Sequence, residues 1–270
     1  MSNNLLQGKR GIITGALDEN SIAWKVAEKA VEQGAKIVLT NAPIALRMGK
    51  INELAAKTNS KVIPADATNV EEINKMLVES QEFLGGKIDF MLHSIAQSPN
   101  IRKNIGYPEL NYDYYDKTLD ISALSLHKML AAAYKLDALS EGASVVALSY
   151  MAAQRTFSFY TDMADAKALL ESIVRSFGYH YGKYRKVRVN SISQSPTKTT
   201  AGSGIKGFET FFDFAALNAP LGNADAASCA DYCITMFSDL TKMVTMQNLM
   251  HDGGYSNTGA SADLMEKFGE

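Results

Sequence analysis

Cysteine is scarce in this chain of 270 residues: only Cys229 and Cys233 occur, four apart on one expected helix, with no nearby histidine or second cysteine pair. That pattern completes no zinc site and builds no disulfide framework. Positive charge is not in excess either. Twenty-seven Lys and Arg stand against 29 Asp and Glu for a net charge of −2, so no overall basic field exists to hold nucleic acid or an anionic membrane. No apolar run approaches the roughly 18 residues of a membrane span, and the opening MSNNLLQGKRGIIT lacks the charged, apolar and small-residue order of a signal peptide. The expectation is a soluble, cytoplasmic protein with neither nucleic acid nor membrane as a partner. Internal repeats, low-complexity tracts and proline-rich linkers are also missing. With 46% hydrophobic residues, a chain of this length buries most of its surface in one core, and a single domain over residues 1–270 is expected.

What is present is an alternation. Short apolar, β-branched runs recur at residues 11–14, 36–40, 61–64, 88–93, 144–148, 187–192 and 244–250, with helical patterns between them. Runs such as KIVLT and SVVAL are continuously apolar, as strands buried on both faces are, and the spacers are long enough for right-handed crossovers. The implied fold class is α/β, a doubly wound parallel sheet. Residues 21–33 carry Ile22, Val26, Ala30 and Val31 on one stripe that stops at Gly34. Asn69 with Glu72 predicts a capped start for a helix reaching about Phe83, ended by Gly85 and Gly86. Residues 94–111 and 194–207 lack periodicity, and long aperiodic segments inside a compact α/β domain are more often functional loops than slack.

In such a sheet, ligands bind beyond the carboxyl ends of the strands, and the first strand-to-helix turn offers backbone N–H groups to a pyrophosphate. Here that turn reads TGALDENSIA with Gly15 as its one glycine, so the usual G-x-G-x-x-G fingerprint fails. Gly15 offers close backbone approach, and Ser21 is either a phosphate contact or a plain helix N-cap. After the second strand, Thr40-Asn41-Ala42 has no carboxylate for a ribose 2′-OH. Arg47 is either a 2′-phosphate contact or a solvated helix residue, which leaves NADH and NADPH both open. Asp66-Ala67 falls where an adenine would lie, unless Asp66 caps the turn that follows.

Tyr160 and Lys167 are seven residues apart, about two helical turns, and so share one helix face. An ammonium near a phenol favours the phenolate and polarises the O–H, making Tyr160 a candidate proton donor or oxyanion stabiliser. A Tyr and a Lys at this spacing are also a common surface pair. Context favours chemistry, because the pair follows the buried strand SVVAL, and Ser149 and Tyr150 emerge at its carboxyl end beside the same crevice.

These residues belong to a longer pattern. It comprises ITG with five residues before Ser21-Ile22-Ala23; Asp66-Ala67; His93-Ser94-Ile95-Ala96; and Leu148-Ser149-Tyr150 with nine residues to Tyr160 and six more to Lys167. It continues with VRVNSIS at 187–193, Ser203-Gly204-Ile205-Lys206 and Asp252-Gly253-Gly254. Along nearly its whole length the chain resembles the enoyl-acyl-carrier-protein reductases of bacterial type II fatty-acid synthesis, a divergent branch of the short-chain dehydrogenase/reductase superfamily. An ordinary member of that superfamily has Tyr-x-x-x-Lys and a serine about 13 positions before the Tyr. Here those two positions are Ala164 and Ala147.

The resemblance implies a single-domain Rossmann-type fold with a helical substrate-binding lid over about residues 199–221. It implies hydride transfer from NADH to the β-carbon of a trans-2-enoyl thioester, with Tyr160 hydrogen-bonding the enolate oxygen. NADH is favoured over NADPH because one arginine and no basic cluster follows the second strand. Catalytic roles fall to Tyr150, Tyr160 and Lys167. Cofactor contacts fall to Gly15, Ser21, Ile22, Asp66, Ala67, Ser94, Ile95 and Lys167, and to the run Pro196, Thr197, Lys198, Thr199, Thr200 and Ala201. The acyl site is lined by Ala96, Ser98, Tyr150, Tyr160 and Met163. Phe208, Phe211, Phe212 and Phe214 either shelter the acyl chain or pack the helix. The implied partner is acyl carrier protein bearing the enoyl chain, and the implied assembly is a homotetramer. No metal is implied. The rivals are another short-chain-type reductase, of an enoyl thioester or a carbonyl, and an inactive nucleotide sensor that has no need of Tyr150, Tyr160 and Lys167 together.

Three positions depart from the family pattern. Ser195 stands where a glycine precedes the proline, which bears on approach to the nicotinamide. Ala96 replaces a frequent glycine, which is expected to narrow the pocket and weaken diphenyl-ether inhibitors. Ala42 replaces a polar residue near the adenosine ribose. His93 is read as a structural residue. The basic run 183–188 is either a solvated turn or, with Lys198 and Lys206, a surface for an acidic carrier protein.

Overall fold

The expected strands assemble into a seven-stranded sheet of order β3-β2-β1-β4-β5-β6-β7, parallel at every pairing. The computed structural model describes residues 3–203 and 207–269. Gly204, Ile205 and Lys206 of the quoted motif lie outside the described residues. The strands are β1 (Arg10–Thr14), β2 (Lys36–Thr40), β3 (Lys61–Val62), β4 (Ile88–His93), β5 (Leu139–Ser149), β6 (Arg188–Gln194) and β7 (Asn248–His251). The helices are α1 (Ile22–Glu32), α2 (Pro43–Met48), α3 (Ile51–Thr58), α4 (Val70–Leu84), α5 (Pro99–Arg102), α6 (Tyr112–Leu119), α7 (Ser125–Lys135), α8 (Thr161–Arg185), α9 (Thr200–Ser203), α10 (Phe208–Asn218), α11 (Ala226–Phe237) and α12 (Ala262–Gly269). A π-helical turn, Asp120–Leu124, joins α6 to α7.

Both sheet faces are covered, which is why the strands are apolar throughout rather than alternating. On one face Ile73, Met76 and Leu77 of α4, Leu126 and Leu130 of α7, and Leu170 and Val174 of α8 form one core. On the other, Ala23, Val26, Ala27 and Ala30 of α1 meet Cys229, Ala230 and Cys233 of α11, small side chains that let the two helices approach closely. Each fully buried Ile, Leu or Val contributes roughly 1.5–3 kcal/mol. Gly11 serves this packing: a Cβ there would lie 2.1 Å from Phe90 Cζ, and the Phe90 ring stacks on Phe237 at 4.7 Å.

The local signals act largely as read. Asn69 caps α4 by accepting from the N–H groups of Glu71 and Glu72 at 2.9 and 3.3 Å. Glu72 does not return to the cap N–H; its Oε2 accepts from Asp66 N at 2.8 Å and so steadies the loop after β3. Ser21 is not a side-chain cap of α1. Its hydroxyl instead donates to Asp18 O at 2.7 Å and accepts from Leu17 N at 3.3 Å, closing the first turn on itself. β5 starts at Leu139 rather than 144 because Leu139 already pairs with Ile88 across a register shift. β7 is shorter than the apolar run 244–250, since Met246 takes a left-handed turn conformation at φ 63°.

The basic run 183–188 is not a uniformly solvated turn. Arg188 is buried, and its guanidinium donates to Met236 O at 2.8 Å, Ser238 O at 3.1 Å and Thr241 Oγ1 at 2.7 Å, satisfying carbonyls at the end of α11. Arg185 pairs with Asp137 at 2.9 Å, just before β5 begins. The run therefore lies at the amino ends of the strands, opposite the carboxyl ends where ligands bind in such sheets. Among the described residues no helix is long and apolar enough to cross a membrane, and no group of three or more His, Cys, Asp or Glu is placed to hold a metal.

Candidate active site

The strand order reverses between β1 and β4, and a cavity of about 570 Å³ opens at the carboxyl ends there. Strand order stretches its lining from Ala42 and Asp66, after β2 and β3, to Tyr150 after β5 and Pro196 after β6. Gly15 sits at the crossing with φ 84°, and a Cβ there would fall 1.9 Å from Ser94 O. Only glycine permits both that backbone conformation and that approach. Ser94 N in turn donates to Thr14 Oγ1 at 3.1 Å, so the ends of β1 and β4 are pinned together beside the cavity.

Most of the residues singled out in the sequence meet here. Gly15, Ser21, Ile22, Asp66, Ala67, Ser94, Ile95, Ala96, Ser98, Tyr150, Tyr160, Met163, Lys167, Pro196, Thr197, Thr199 and Thr200 all line the cavity. Lys198 does not: its ammonium pairs with Glu209 at 2.9 Å and lies over the Phe212 ring. Ala201 belongs to α9. Asp66 does cap the next turn, with Oδ1 accepting from the N–H and hydroxyl of Thr68 at 2.8 Å each, while its residue still lines the cavity. Arg47 is exposed and is not part of the lining. Asn41, where a carboxylate is often found, spends its side chain on the backbone, donating to Ala16 O at 3.0 Å and accepting from Ala42 N at 2.9 Å.

The chemistry gathers at the β5 end. Tyr150 and Tyr160 tilt against each other with ring centroids 5.0 Å apart. The Tyr150 hydroxyl is buried without a hydrogen-bond partner among the described residues, and burial raises its pKa far above the ordinary phenol value. A buried orphaned hydroxyl facing a cavity suits a ligand oxygen. Burial also raises Tyr160, so both phenols stay protonated at neutral pH. The expected phenolate bias from Lys167 is therefore overturned: desolvation dominates, and the ammonium donates instead to Leu148 O at 2.7 Å. Tyr160 also stands at the residue preceding α8 rather than within the helix, yet both side chains reach the cavity.

Lys167 is 6% exposed, and desolvation pushes its pKa down to about 8, opposed by the Glu171 carboxylate one turn on. Glu171 is itself buried, accepting from Ser149 Oγ at 2.7 Å and Gln154 Nε2 at 2.9 Å. An ammonium has three donors, so two remain for a ligand's hydroxyl groups. His93 is buried, its Nε2 within 2.8 Å of Ser125 Oγ, and desolvation holds its pKa down to about 3, leaving it neutral. Ser195 turns its hydroxyl toward Ala224, accepting from that N–H at 2.8 Å, so the side chain that replaces glycine is drawn into the loop.

Several lining residues escape sequence reasoning. Ile101, Arg102 and Ile121 come from the aperiodic stretch and the π turn, where no pattern marks an inward face. Phe159 and Gln194 adjoin residues that are marked, and that adjacency is the available signal. Of the four phenylalanines between residues 208 and 214, Phe208 and Phe211 line the cavity. Phe212 lies under Lys198, and Phe214 packs edge-on against Tyr255.

A family model described as enoyl-(acyl carrier protein) reductase matches residues 15–256. The chain is 33% identical over 261 residues to enoyl-(acyl-carrier-protein) reductase (NADH) 2 of Rhizobium meliloti, covering 95% of this chain and 94% of that protein. It is 34% identical over 263 residues to the FabI of Rickettsia bellii, covering 97% and 98%. Among solved structures, the FabI–NADH complex of Alistipes finegoldii superposes with a TM-score of 0.96 at 60% identity, covering 97% of this chain and 93% of that one. Cavity, phenols and buried lysine thus sit in the stretch that the family model matches, and the chain belongs to the enoyl-(acyl carrier protein) reductase family.

Proposed function

We propose that this protein reduces the trans-2 double bond of an enoyl chain carried on acyl carrier protein, with NADH as the reductant. The observation that carries this reading is the meeting of two protonated phenols and one buried ammonium at one end of a cavity that extends past Gly15 to Asp66. The residues present fit a dinucleotide: Gly15 leaves room that any side chain would fill, and the cavity lies at the strand crossover used for such ligands. Ser21, Ile22, Asp66, Ala67, Ser94 and Ile95 would hold the adenosine and pyrophosphate end. Lys167 and the backbone of Pro196 to Ala201 would hold the nicotinamide riboside. When bound, NADH supplies a hydride to the β-carbon of the conjugated thioester, and the α-carbon then takes a proton from water to complete the saturated chain.

The protein's part is electrostatic. Reduction at the β-carbon drives negative charge onto the thioester oxygen, and a neutral phenol donates a hydrogen bond there without first losing a proton. Tyr160 is that donor, a contribution of roughly 3–4 kcal/mol for a preorganised oxyanion contact. Lys167 adds positive potential in a dry site, where it acts more strongly than in water. Tyr150, Ala96, Ser98 and Met163 border the acyl end, and Phe208 and Phe211 cover it as part of a lid over about residues 199–221. The absence of a carboxylate after β2 is compensated by no basic cluster, so NADH is used in preference to NADPH.

The same reading includes cytoplasmic work as a homotetramer within a single domain over 1–270. Support for assembly comes from β7, an edge strand left half-buried, with Met243 88% and Leu240 72% exposed nearby. The functional test follows absorbance at 340 nm with a trans-2-enoyl thioester and either NADH or NADPH. Oxidation is expected with NADH at the faster rate. Nucleotide binding with no oxidation overturns the reading in favour of a sensor, and oxidation with ketones alone makes it a carbonyl reductase.

A further inference from the structure

We propose that Asp162 is a positioning residue for this reaction, its carboxylate fixing the wall of the acyl pocket to the turn that carries Tyr160. The proposal rests on the reading of the cavity as an enoyl-thioester site. Asp162 is fully buried, and the four side chains that hydrogen-bond its carboxyl group among the described residues are all neutral. Oδ1 accepts from Ser98 Oγ at 2.7 Å and Thr161 Oγ1 at 3.1 Å, and Oδ2 accepts from Asn100 Nδ2 at 2.8 Å and from Thr118 Oγ1 at 2.7 Å, whose one proton is shared with Tyr114 O at 2.8 Å. Ser98, Asn100 and Thr118 lie 64, 62 and 44 positions away in sequence. One side chain therefore joins α5, α6 and the start of α8.

The joined pieces are those that shape the pocket. Ser98, Ile101 and Arg102 line the cavity, as do Tyr160 and Met163 on either side of Thr161 and Asp162. Ser98 Oγ passes the constraint on by accepting from Ile101 N at 3.0 Å, and Asn100 Oδ1 does so by accepting from Asn111 N at 3.1 Å. The neighbouring Gln97 is held independently by Ser122 in the π turn, which accepts from its N–H at 2.9 Å and donates to its carbonyl at 3.1 Å. Thr161 takes φ 35°, a left-handed conformation that a β-branched residue keeps only when its surroundings over-determine it. Its hydroxyl bond to Asp162 ties that strained link into the same network.

Among the described residues no cation pairs with Asp162, and burying a carboxyl group merely to fill space is costly. Position at the first turn of a 25-residue helix offsets part of that cost through the helix dipole. What four directed acceptor contacts add over an apolar contact is orientation: they set the direction of the loop backbone and of Tyr160 relative to one another, which is the quantity a near-attack geometry depends on.

The test uses the full-length protein and three variants. Asp162→Ala is expected to raise KM for a trans-2-enoyl thioester about tenfold, as loss of several buried contacts implies, and to lower kcat, with Kd for NADH changed by less than about twofold. Asp162→Asn keeps an oxygen toward Asn100 and Thr118 while the hydroxyls of Ser98 and Thr161 turn to accept from its amide, so it is expected to recover most of the enoyl KM. Thr118→Val removes one donor outside the cavity lining, and is expected to raise enoyl KM about threefold even if Asp162→Ala does not fold. Hydrogen exchange supplies a readout independent of turnover: residues 97–102 exchange faster in each destabilised variant while β5 and β6 keep their protection. A wild type that oxidises no NADH with enoyl thioester removes the functional reading, and the exchange result still decides the clamp. Unchanged exchange at 97–102, or a loss spread equally over both substrates with no rescue by Asn, overturns the proposal.

Discussion

Replacing Lys167 by Met removes an ammonium that the fold keeps out of water, and the consequence is a pH-dependent difference in stability. Lys167 is 6% exposed, and burial moves its pKa from 10.5 to about 8. Between those values the unfolded chain holds the proton more tightly than the folded one, so folding stability of the wild type rises as pH increases through that window. Below pH 8 the buried charge costs about 3 kcal/mol relative to an unperturbed lysine, and most of that is relieved by pH 10. Urea denaturation of wild type and Lys167→Met at pH 7 and pH 10 reads this effect as the change in their stability difference. The wild type should gain about 2 kcal/mol on the variant between the two pH values. A difference constant within about 0.5 kcal/mol would refute the reasoning, since the ammonium would then be solvated in the fold. The same pKa predicts that kcat/KM for NADH, which reports the free enzyme, falls as pH rises through about 8.

Tyr160→Phe should lower kcat by about 10²–10³-fold, the usual loss for one oxyanion donor, while leaving Kd for NADH nearly unchanged. Full activity of that variant on an enoyl thioester would assign the donor elsewhere, with Tyr150 as the next phenol to test. Gly15→Ala places a methyl group 1.9 Å from Ser94 O at φ 84°, so both NADH affinity and thermal stability should fall. Retention of wild-type affinity would move the cofactor away from the β1 turn. Ala96 lines the cavity and is exposed to it, and Ala96→Gly should strengthen inhibition by diphenyl ethers. Equal potency on both proteins would show that this methyl does not limit the pocket.

Local periodicity made the sheet, its two-sided burial and most of its crossover helices legible, because those patterns are read between residues a few positions apart. Asn69 and the Gly85-Gly86 pair bounded α4 for the same reason. Motif spacing brought Gly15, Asp66, Ser94, Tyr150, Tyr160 and Lys167 to one cavity, since the carboxyl ends of parallel strands necessarily share an edge. The ionisation of that site was a different matter. A lysine seven residues from a tyrosine suggests a phenolate bias, but burial by the whole fold raises Tyr160, and Lys167 turns to a β5 carbonyl instead. Long-range register likewise sent Arg188 inward to the end of α11 and placed Arg185 at the far edge of the sheet from the cavity. Asp162 is the sharpest case: nothing in TDMADAK marks it, because its partners come from segments that only chain packing brings together. Composition and spacing thus decide which elements form and which edge they share. The dielectric around each group, and the company a buried charge keeps, arise when distant segments close over it.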